Sequence, residues 1–362
     1  MMTTCIEHPN DPICQRELEQ IAASDLDWSA FVGKTVLVTG ATGLVGSYMV
    51  RALATINRVH GCQMRIVGMV RSAEKARGIY GSLLERGDVS LLVGDVRTPI
   101  QYDGAVDYII HGASVTASKE MVTHPVETIA TAIGGTEEML KFAVDKQVTS
   151  MVYISSMEMY GVPDPTLDCV SEGDYGWVDV LNVRSCYPEG KRMCECLCAA
   201  YAHEYQVPVK IARLAQTFGA GVSTKESRVF AQFARSLMKG EDIVLHTEGK
   251  SYGNYCATCD CVRGLLTILL RGTNGEAYNV ANEQTNIQIR DMAQMIADQS
   301  GGTIQVRFDI PEDALKYGYA PDVKMRLSGA KLRSLGWAPE LDLPEMYQRL
   351  MASWAAQESG TE

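Results

Sequence analysis

Tyr187 and Lys191 stand four residues apart in the run Tyr187-Pro188-Glu189-Gly190-Lys191. On a helix, that spacing puts a phenol and an ammonium one turn apart on one face. A phenol titrates near ~10 and is a poor base at neutrality. A neighbouring ammonium stabilises the phenolate. The tyrosine then takes a proton from a substrate hydroxyl while a hydride leaves the same carbon. Such a pair also arises by chance. Here an apolar run ends in Ser155-Ser156 upstream of it, and the Ser156 hydroxyl can hydrogen-bond the same reacting oxygen.

A departing hydride needs an acceptor, and the sequence offers a place for one. Thr39-Gly40-Ala41-Thr42-Gly43-Leu44-Val45-Gly46 joins a β-branched run at 35–39 to a helical pattern at 44–56. Glycines there allow a tight turn, a close backbone approach to a pyrophosphate and helix-on-strand packing. The helix start presents free N–H groups to the phosphates. Gly40, Thr42, Gly43, Leu44, Val45 and Gly46 are therefore the expected cofactor cradle. The second strand ends Val70-Arg71-Ser72 without an acid, so Arg71 leans toward NADP, with NAD left open. Asp95 and Val96 are placed near the adenine. Gly112, Ala113 and Ser114 follow the fourth strand on the same side.

The elements that must position these groups are legible in the pattern. Strands at 35–39, 65–70, 90–93, 108–111, 151–155 and 209–213 alternate with helices at 44–56, 74–86, 125–145 and 187–205. This predicts an α/β fold, a Rossmann-type doubly wound parallel sheet. Beyond Phe218 the alternation becomes irregular up to a last helix at 343–356, which predicts a smaller C-terminal α/β substrate unit. The expected division is an extension at 1–30, a cofactor unit at 31–218 with 254–272 returning to it, and a substrate unit at 219–253 and 273–362.

The 362 residues carry 33 Lys+Arg against 44 Asp+Glu, a net charge of −11. That balance argues against nucleic acid or an anionic membrane as the main partner. It leaves room for an anionic small molecule in a local basic pocket. The start of the chain has no signal-peptide pattern. No run of about 18 apolar residues occurs. Eleven scattered cysteines read as free thiols in a reducing cytoplasm.

TGATGLVG, GDV, HGAS, ISSMEMYG and YPEGKR, in that order, resemble the extended short-chain dehydrogenase/reductases and their nucleotide-sugar epimerase/dehydratase branch. Within that branch the chain is most similar to UDP-glucuronate decarboxylases. The signal runs from Ala113-Ser114 through His124-Pro125, Arg184-Ser185-Cys186-Tyr187 and Thr217-Phe218-Gly219 to 275–280. The resemblance implies a tightly bound, recycled NAD or NADP and a nucleotide-diphosphate sugar. Tyr187, Lys191 and Ser156 act in oxidising sugar C4, and decarboxylation or dehydration follows. Glu158 matches the glutamate that dehydratases use at C5 and that decarboxylases also carry. Met157 stands where dTDP-glucose dehydratases usually have an aspartate. The resemblance further implies substrate contacts from Ser114, Arg184, Gln216, Arg228 and Tyr255, and a homodimer. Two positions depart from the family: Gly253 stands where an arginine is usual, and Gln216 where an asparagine is. Arg228, Lys250 or Arg263 can compensate for the missing charge. A 4-epimerase, an NADPH-dependent keto-sugar reductase and a non-catalytic sensor are the alternative readings.

Other signals are weaker. Cys194, Cys196 and Cys198, and Cys256, Cys259 and Cys261, lack the paired spacings of zinc sites. No metal is expected from them. His111 reads as structural. Residues 164–174 read as a mobile loop over the site.

Overall fold

The computed structural model describes residues 6–310 and 324–359. Helix α1 (Pro12–Ala22) comes first, then β1 (Thr35–Thr39), α2 (Leu44–His60), β2 (Arg65–Val70), α3 (Ala73–Tyr80), β3 (Val89–Val93) and β4 (Tyr108–His111). Next are α4 (Ser118–Thr123), α5 (Pro125–Lys146), β5 (Ser150–Ser156), α6 (Cys186–Glu204), β6 (Val209–Leu214) and β7 (Gln216–Phe218). The remainder is α7 (Val229–Lys239), β8 (Ile243–Leu245), β9 (Tyr252–Ala257), α8 (Thr258–Arg271), β10 (Ala277–Val280), β11 (Asn282–Gln288), α9 (Ile289–Asp298), β12 (Val306–Phe308), α10 (Ala330–Arg333) and α11 (Leu343–Ser359).

Seven strands form one sheet in the order β10-β6-β5-β4-β1-β2-β3, every pair parallel. β1 and β6 are buried along their whole length, as strands covered on both faces must be. The chain leaves β1 toward β2 on one side and reaches β4 on the other. The crevice at the ends of β1 and β4 is thus the switch point where such sheets bind ligands. A three-stranded sheet, β11-β9-β7, and a β12-β8 pair complete the strand pairing.

The structure departs from the expected elements in several places. α2 runs to His60, where Gly61 ends it in the left-handed region at φ 63°. The helix expected at 74–86 stops at Tyr80; Gly81, at φ 51° and ψ −128°, breaks it, and a 3-10 turn follows. β10 was assigned to the substrate unit but pairs with β6 as the edge strand of the large sheet. Its Tyr278 and Val280 are buried apolar side chains and need that layer. Residues 6–30, the described part of the expected extension, clasp the core. Cys14, Leu18 and Ile21 of α1 are buried, and the helix packs on α2, α8 and α11. No helix among the described residues is long and apolar enough to cross a membrane.

Glu7 fastens this clasp. It is fully buried and accepts from Arg58 at 2.9 Å and from Arg86 at 2.5 Å. Burial alone would raise its carboxyl, but hydrogen bonds from Arg58, Gln15 and Arg86 outweigh burial and hold it down to about 2 from 4.5. Its contribution to stability is therefore complete above about 4.5 and is lost as pH falls toward 2. Glu17 and Asp260, pushed up by burial, act in the opposite direction. We expect Glu7→Gln to cost about 3 kcal/mol at pH 7. The difference between wild type and variant in urea unfolding should shrink below pH 4.5; a difference independent of pH would refute this assignment.

Candidate active site

The glycine turn is closed so tightly that side chains are excluded. A Cβ on Gly46 would fall 2.2 Å from the Gly40 carbonyl oxygen, and one on Gly40 would meet the Gly112 backbone at 2.8 Å. The Gly43 N–H donates to the Gly40 carbonyl at 2.9 Å. No side chain caps α2, so its first amides remain available to a phosphate. Thr39 ties β1 to β4: its Oγ1 accepts from the Gly112 and Ala113 amides, both at 3.1 Å. His111 Nδ1 lies 2.7 Å from that same oxygen. Burial, aided by Lys191, holds the His111 imidazole down to about 3. It is a neutral hydrogen-bonding group, as its structural reading requires. The cradle therefore fits a dinucleotide.

Just beyond β3, where the sequence pattern expects the adenine, Asp95 is occupied. It caps the Arg97 amide at 3.0 Å and accepts from the Arg97 guanidinium at 2.8 Å. Hydrogen bonds from Arg97 lower its carboxyl. Arg71 is exposed, and its charge also acts on Asp95. Val96 packs against Gly135, where a Cβ would fall 2.8 Å from its Cγ2. That contact explains the small residue on α5.

β5 and α6 bring the chemical groups together. Ser156 ends β5, and its Oγ accepts the Glu158 amide at 3.2 Å, capping the 3-10 turn Met157–Tyr160. Tyr187 and Lys191 lie in the first two turns of α6, both buried. Burial and the Glu158 carboxylate push the Tyr187 phenol up to about 12, while Ser156, Arg184 and Arg228 pull it down. Lys191 donates to the Ile154 carbonyl at 2.8 Å and sits 5.7 Å from the Tyr187 ring centroid. Burial holds its ammonium down to about 8, against the pull of Cys194 and Glu195. It remains mostly charged at pH 7.

Glu158 is not a free acid. Arg184 Nη2 donates to its two oxygens at 2.7 and 3.1 Å. The Asn182 side chain caps the short turn that carries Arg184. The Arg184 guanidinium carbon lies 5.7 Å from the Tyr187 ring centroid, and its Nη1 is buried without a partner.

The expected substrate contacts separate into two groups. Arg228 acts on Tyr187, is paired with Glu226 at 2.8 Å and stands at the start of α7. Gln216 on β7 is opposite Tyr255 on β9. Tyr255, expected to touch substrate, is fully buried edge-on to Phe218, with its hydroxyl unpartnered. Its ring fills the space beside Gly253, whose added Cβ would meet that hydroxyl at 3.0 Å. Arg263 cannot replace the missing arginine, because Asp260 and Glu340 hold it. Lys250 is paired with Glu248.

The 164–174 segment is anchored where a mobile loop was expected. The Glu172 carbonyl accepts from Arg213 at 2.7 Å, and its carboxylate accepts the Asn279 amide at 2.8 Å. The sequence reading missed the buried Glu195–Arg213 pair. Its signal was a second basic residue, after Lys210, on the strand at 209–214 and a glutamate one turn beyond Lys191. Among the described residues, His8, Asp11 and Cys14 bring possible ligand atoms within 4.8 Å of one another. Asp11 is already engaged in capping α1.

The profile of the NAD dependent epimerase/dehydratase family matches residues 36–281. The chain belongs to this family. It is 30% identical to UDP-glucuronic acid decarboxylase 1 of Xenopus tropicalis over 86% of this chain and 70% of that protein. It is 28% identical to UDP-glucuronic acid decarboxylase 3 of Arabidopsis thaliana over 86% of each. A dTDP-glucose 4,6-dehydratase from Streptomyces venezuelae, solved with NAD and TYD, superposes with a TM-score of 0.73 at 21% identity, covering 90% of this chain and 98% of that one. A UDP-glucose 4-epimerase from Thermotoga maritima, solved with UDP-glucose, also gives 0.73, at 18% identity over 91% and 100%. The fold expected from the sequence is the one these structures share.

The glycine contacts give a direct test. Gly46→Ala should weaken NAD binding by about two orders of magnitude in calorimetry, because backbone must move before a phosphate is admitted. Gly78→Ala, whose added methyl meets open space, should leave binding unchanged. Equal affinities would refute the cradle.

Proposed function

We propose that this protein decarboxylates UDP-glucuronate, with NAD bound at the glycine turn and recycled within each turnover. One observation carries the choice of decarboxylation over dehydration. Arg184 engages both Glu158 oxygens through one nitrogen and leaves its other nitrogen buried without an acceptor. A C5 proton-abstracting base needs a free carboxylate, and this one is held. A uronate substrate brings its own carboxylate, the acceptor that the orphaned guanidinium nitrogen lacks. Names of relatives support the same choice.

Each residue then has a defined task. Tyr187 takes the proton from the C4 hydroxyl, and Ser156 shares a hydrogen bond to that oxygen. Lys191 stabilises the phenolate as it forms. Arg184 holds the substrate carboxylate beside Glu158; once C4 is a ketone the C5–carboxylate bond breaks, carbon dioxide leaves, the electron pair passes to the C4 oxygen as an enolate, and C5 takes a proton before C4 is reduced again. Arg228 is the diphosphate contact, and Gln216 and Ser114 contact the sugar. The bound nicotinamide supplies oxidation and then reduction at one sugar carbon. NADP is the alternative suggested by Arg71. Arg97, committed to Asp95, leaves Arg71 alone to meet a 2′-phosphate, which favours NAD. The reading also places the protein in the cytoplasm, supported by free thiols at every described cysteine.

A homodimer through α5 and α6 belongs to the same reading. Val126 and Ile129 on α5 and Met193 on α6 are 77%, 40% and 49% exposed. These helices pack together and present an apolar face outward. Sedimentation should give a dimer that Val126→Glu with Ile129→Glu converts to monomer; a wild-type monomer at micromolar concentration would overturn it.

Incubation of purified protein and NAD with UDP-glucuronate should give a product lighter by one carbon dioxide. Loss of water from a dTDP- or GDP-hexose instead would replace decarboxylation with dehydration, and an isomer of unchanged mass would establish epimerisation. Glu158→Gln should spare NAD binding and lower turnover by about 10²-fold, because Arg184 loses the carboxylate that positions it. Unchanged turnover would remove Glu158 from the chemistry.

A further inference from the structure

We propose that the Glu195–Arg213 ion pair is a positioning pair for the reaction, setting the turn that carries Ser156 and Glu158 and fastening the 161–182 segment over it. Both side chains are buried, 8% and 1% exposed. Neither faces Tyr187 as a reacting group, so their effect must pass through the residues they hold.

The bonds reach the turn from both ends. At its start, Ser155 donates to Glu195 at 2.5 Å, fixing the residue beside Ser156. At its end, Arg213 Nη1 donates to the Tyr160 hydroxyl at 2.8 Å, and that hydroxyl donates to Asn279 on β10 at 2.7 Å. Glu158 lies between these anchors. Arg213 binds Glu195 through Nε, at 3.1 Å to each oxygen, and through Nη2 at 2.7 Å. The remaining capacity of the guanidinium goes to the overlying segment: the Glu172 carbonyl at 2.7 Å and the Tyr175 hydroxyl at 3.2 Å. Arg192, on the same helix, adds bonds to the Met159, Tyr160 and Gly176 carbonyls.

The arrangement is specific to one geometry. Glu195 sits one helical turn beyond Lys191, so the helix that carries the ammonium also carries the carboxylate holding β5. Arg213 extends the connection to β6, and Asn279 extends it to β10. A cavity of about 680 Å³ opens onto this network, lined by Met159, Glu172, Tyr175, Arg192, Glu195 and Arg213. Tyr187, Lys191, Ser156 and Glu158 do not line it. Met159 and Tyr160 are buried in the main core, so apolar packing seats the turn and the directional bonds set its orientation on the cavity side.

The kinetic part of the test rests on the proposed function, whereas the exchange part does not. In Glu195→Gln, amide exchange at Gly161, Val162 and Trp177 should quicken by about tenfold or more as the local opening equilibrium shifts. Amides of β1 and α2 should be unchanged. Equal rates at the turn would overturn the proposal even if UDP-glucuronate proves not to be the substrate. With UDP-glucuronate turned over by wild type, kcat should fall about 10²-fold in the variant, as expected for misplaced groups, and KM should stay within about threefold. The double variant Glu195→Met with Arg213→Met replaces the charges by apolar side chains and separates stability from positioning. It should melt within a few degrees of wild type while kcat stays depressed. Recovery of both Tm and kcat would reduce the pair to a packing element and overturn the proposal. If the double variant does not fold, the exchange and kcat arms of Glu195→Gln decide alone.

Discussion

The contact between Gly46 and the Gly40 carbonyl is the constraint on which the rest of the site depends. α2 begins where β1 ends, and no side chain fits between them. That approach brings the open amides of α2 to the switch point of the sheet, beside the Gly112-Ala113 backbone that Thr39 holds. A looser turn would displace the helix start from the crevice, and the hydroxyl chemistry at β5 and α6 would have nothing to act with. Sheet order and glycine spacing thus express the same requirement at two scales.

The second requirement is to keep charge in a buried place. Burial works against the Lys191 ammonium and the Tyr187 phenolate alike, driving one down and the other up. The structure answers with short polar contacts. Lys191 has the Ile154 carbonyl; Tyr187 has the charges of Arg184 and Arg228 and the hydroxyl of Ser156. Under the proposed function a cationic nicotinamide favours the phenolate and an anionic sugar favours the ammonium, each acting against burial.

Periodicity and chemistry in the sequence were enough for six of the seven strands of the large sheet, the glycine turn and the placing of Tyr187 and Lys191 on one helix, because these depend on local spacing. Three features were not legible. β10 is short, and four residues after an irregular stretch carry no sign of which sheet receives them. Tyr255 aligns with a contact position, but Gly253 lets its ring settle into the core against Phe218. The segment near 164–174 is acidic and polar, which reads as a free loop; its anchors, Arg213 and Asn279, are distant in sequence. In each case the deciding partner lies more than thirty residues away or in another layer. The helix expected at 74–86 failed for a local reason instead, since a glycine at 81 admits a backbone turn that the apolar pattern does not forbid.

A buried ion pair is a poor means of stabilisation by itself. Removing one partner costs about 3–5 kcal/mol, yet replacing both by apolar groups is often neutral or better. Stability alone therefore gives no reason to keep Glu195 and Arg213. Direction does. An apolar side chain attracts whatever surface is near, whereas these two groups fix Ser155, Tyr160, the Glu172 carbonyl and the Tyr175 hydroxyl at set distances from one centre. Those four groups belong to a strand, the turn that follows it and the segment above, and the pair adds to the backbone bonds that join turn and segment at Tyr160–Gly176 and Val162–Trp177. Glu158 and Arg184 have the same character nearer the surface: a guanidinium with one nitrogen satisfied and one waiting holds a carboxylate still without closing the site. The protein thus uses two arginine–glutamate pairs for opposite ends, one saturated and silent behind the turn, the other left incomplete in front of it. Under the proposed function, the incomplete one is where the substrate carboxylate joins the network.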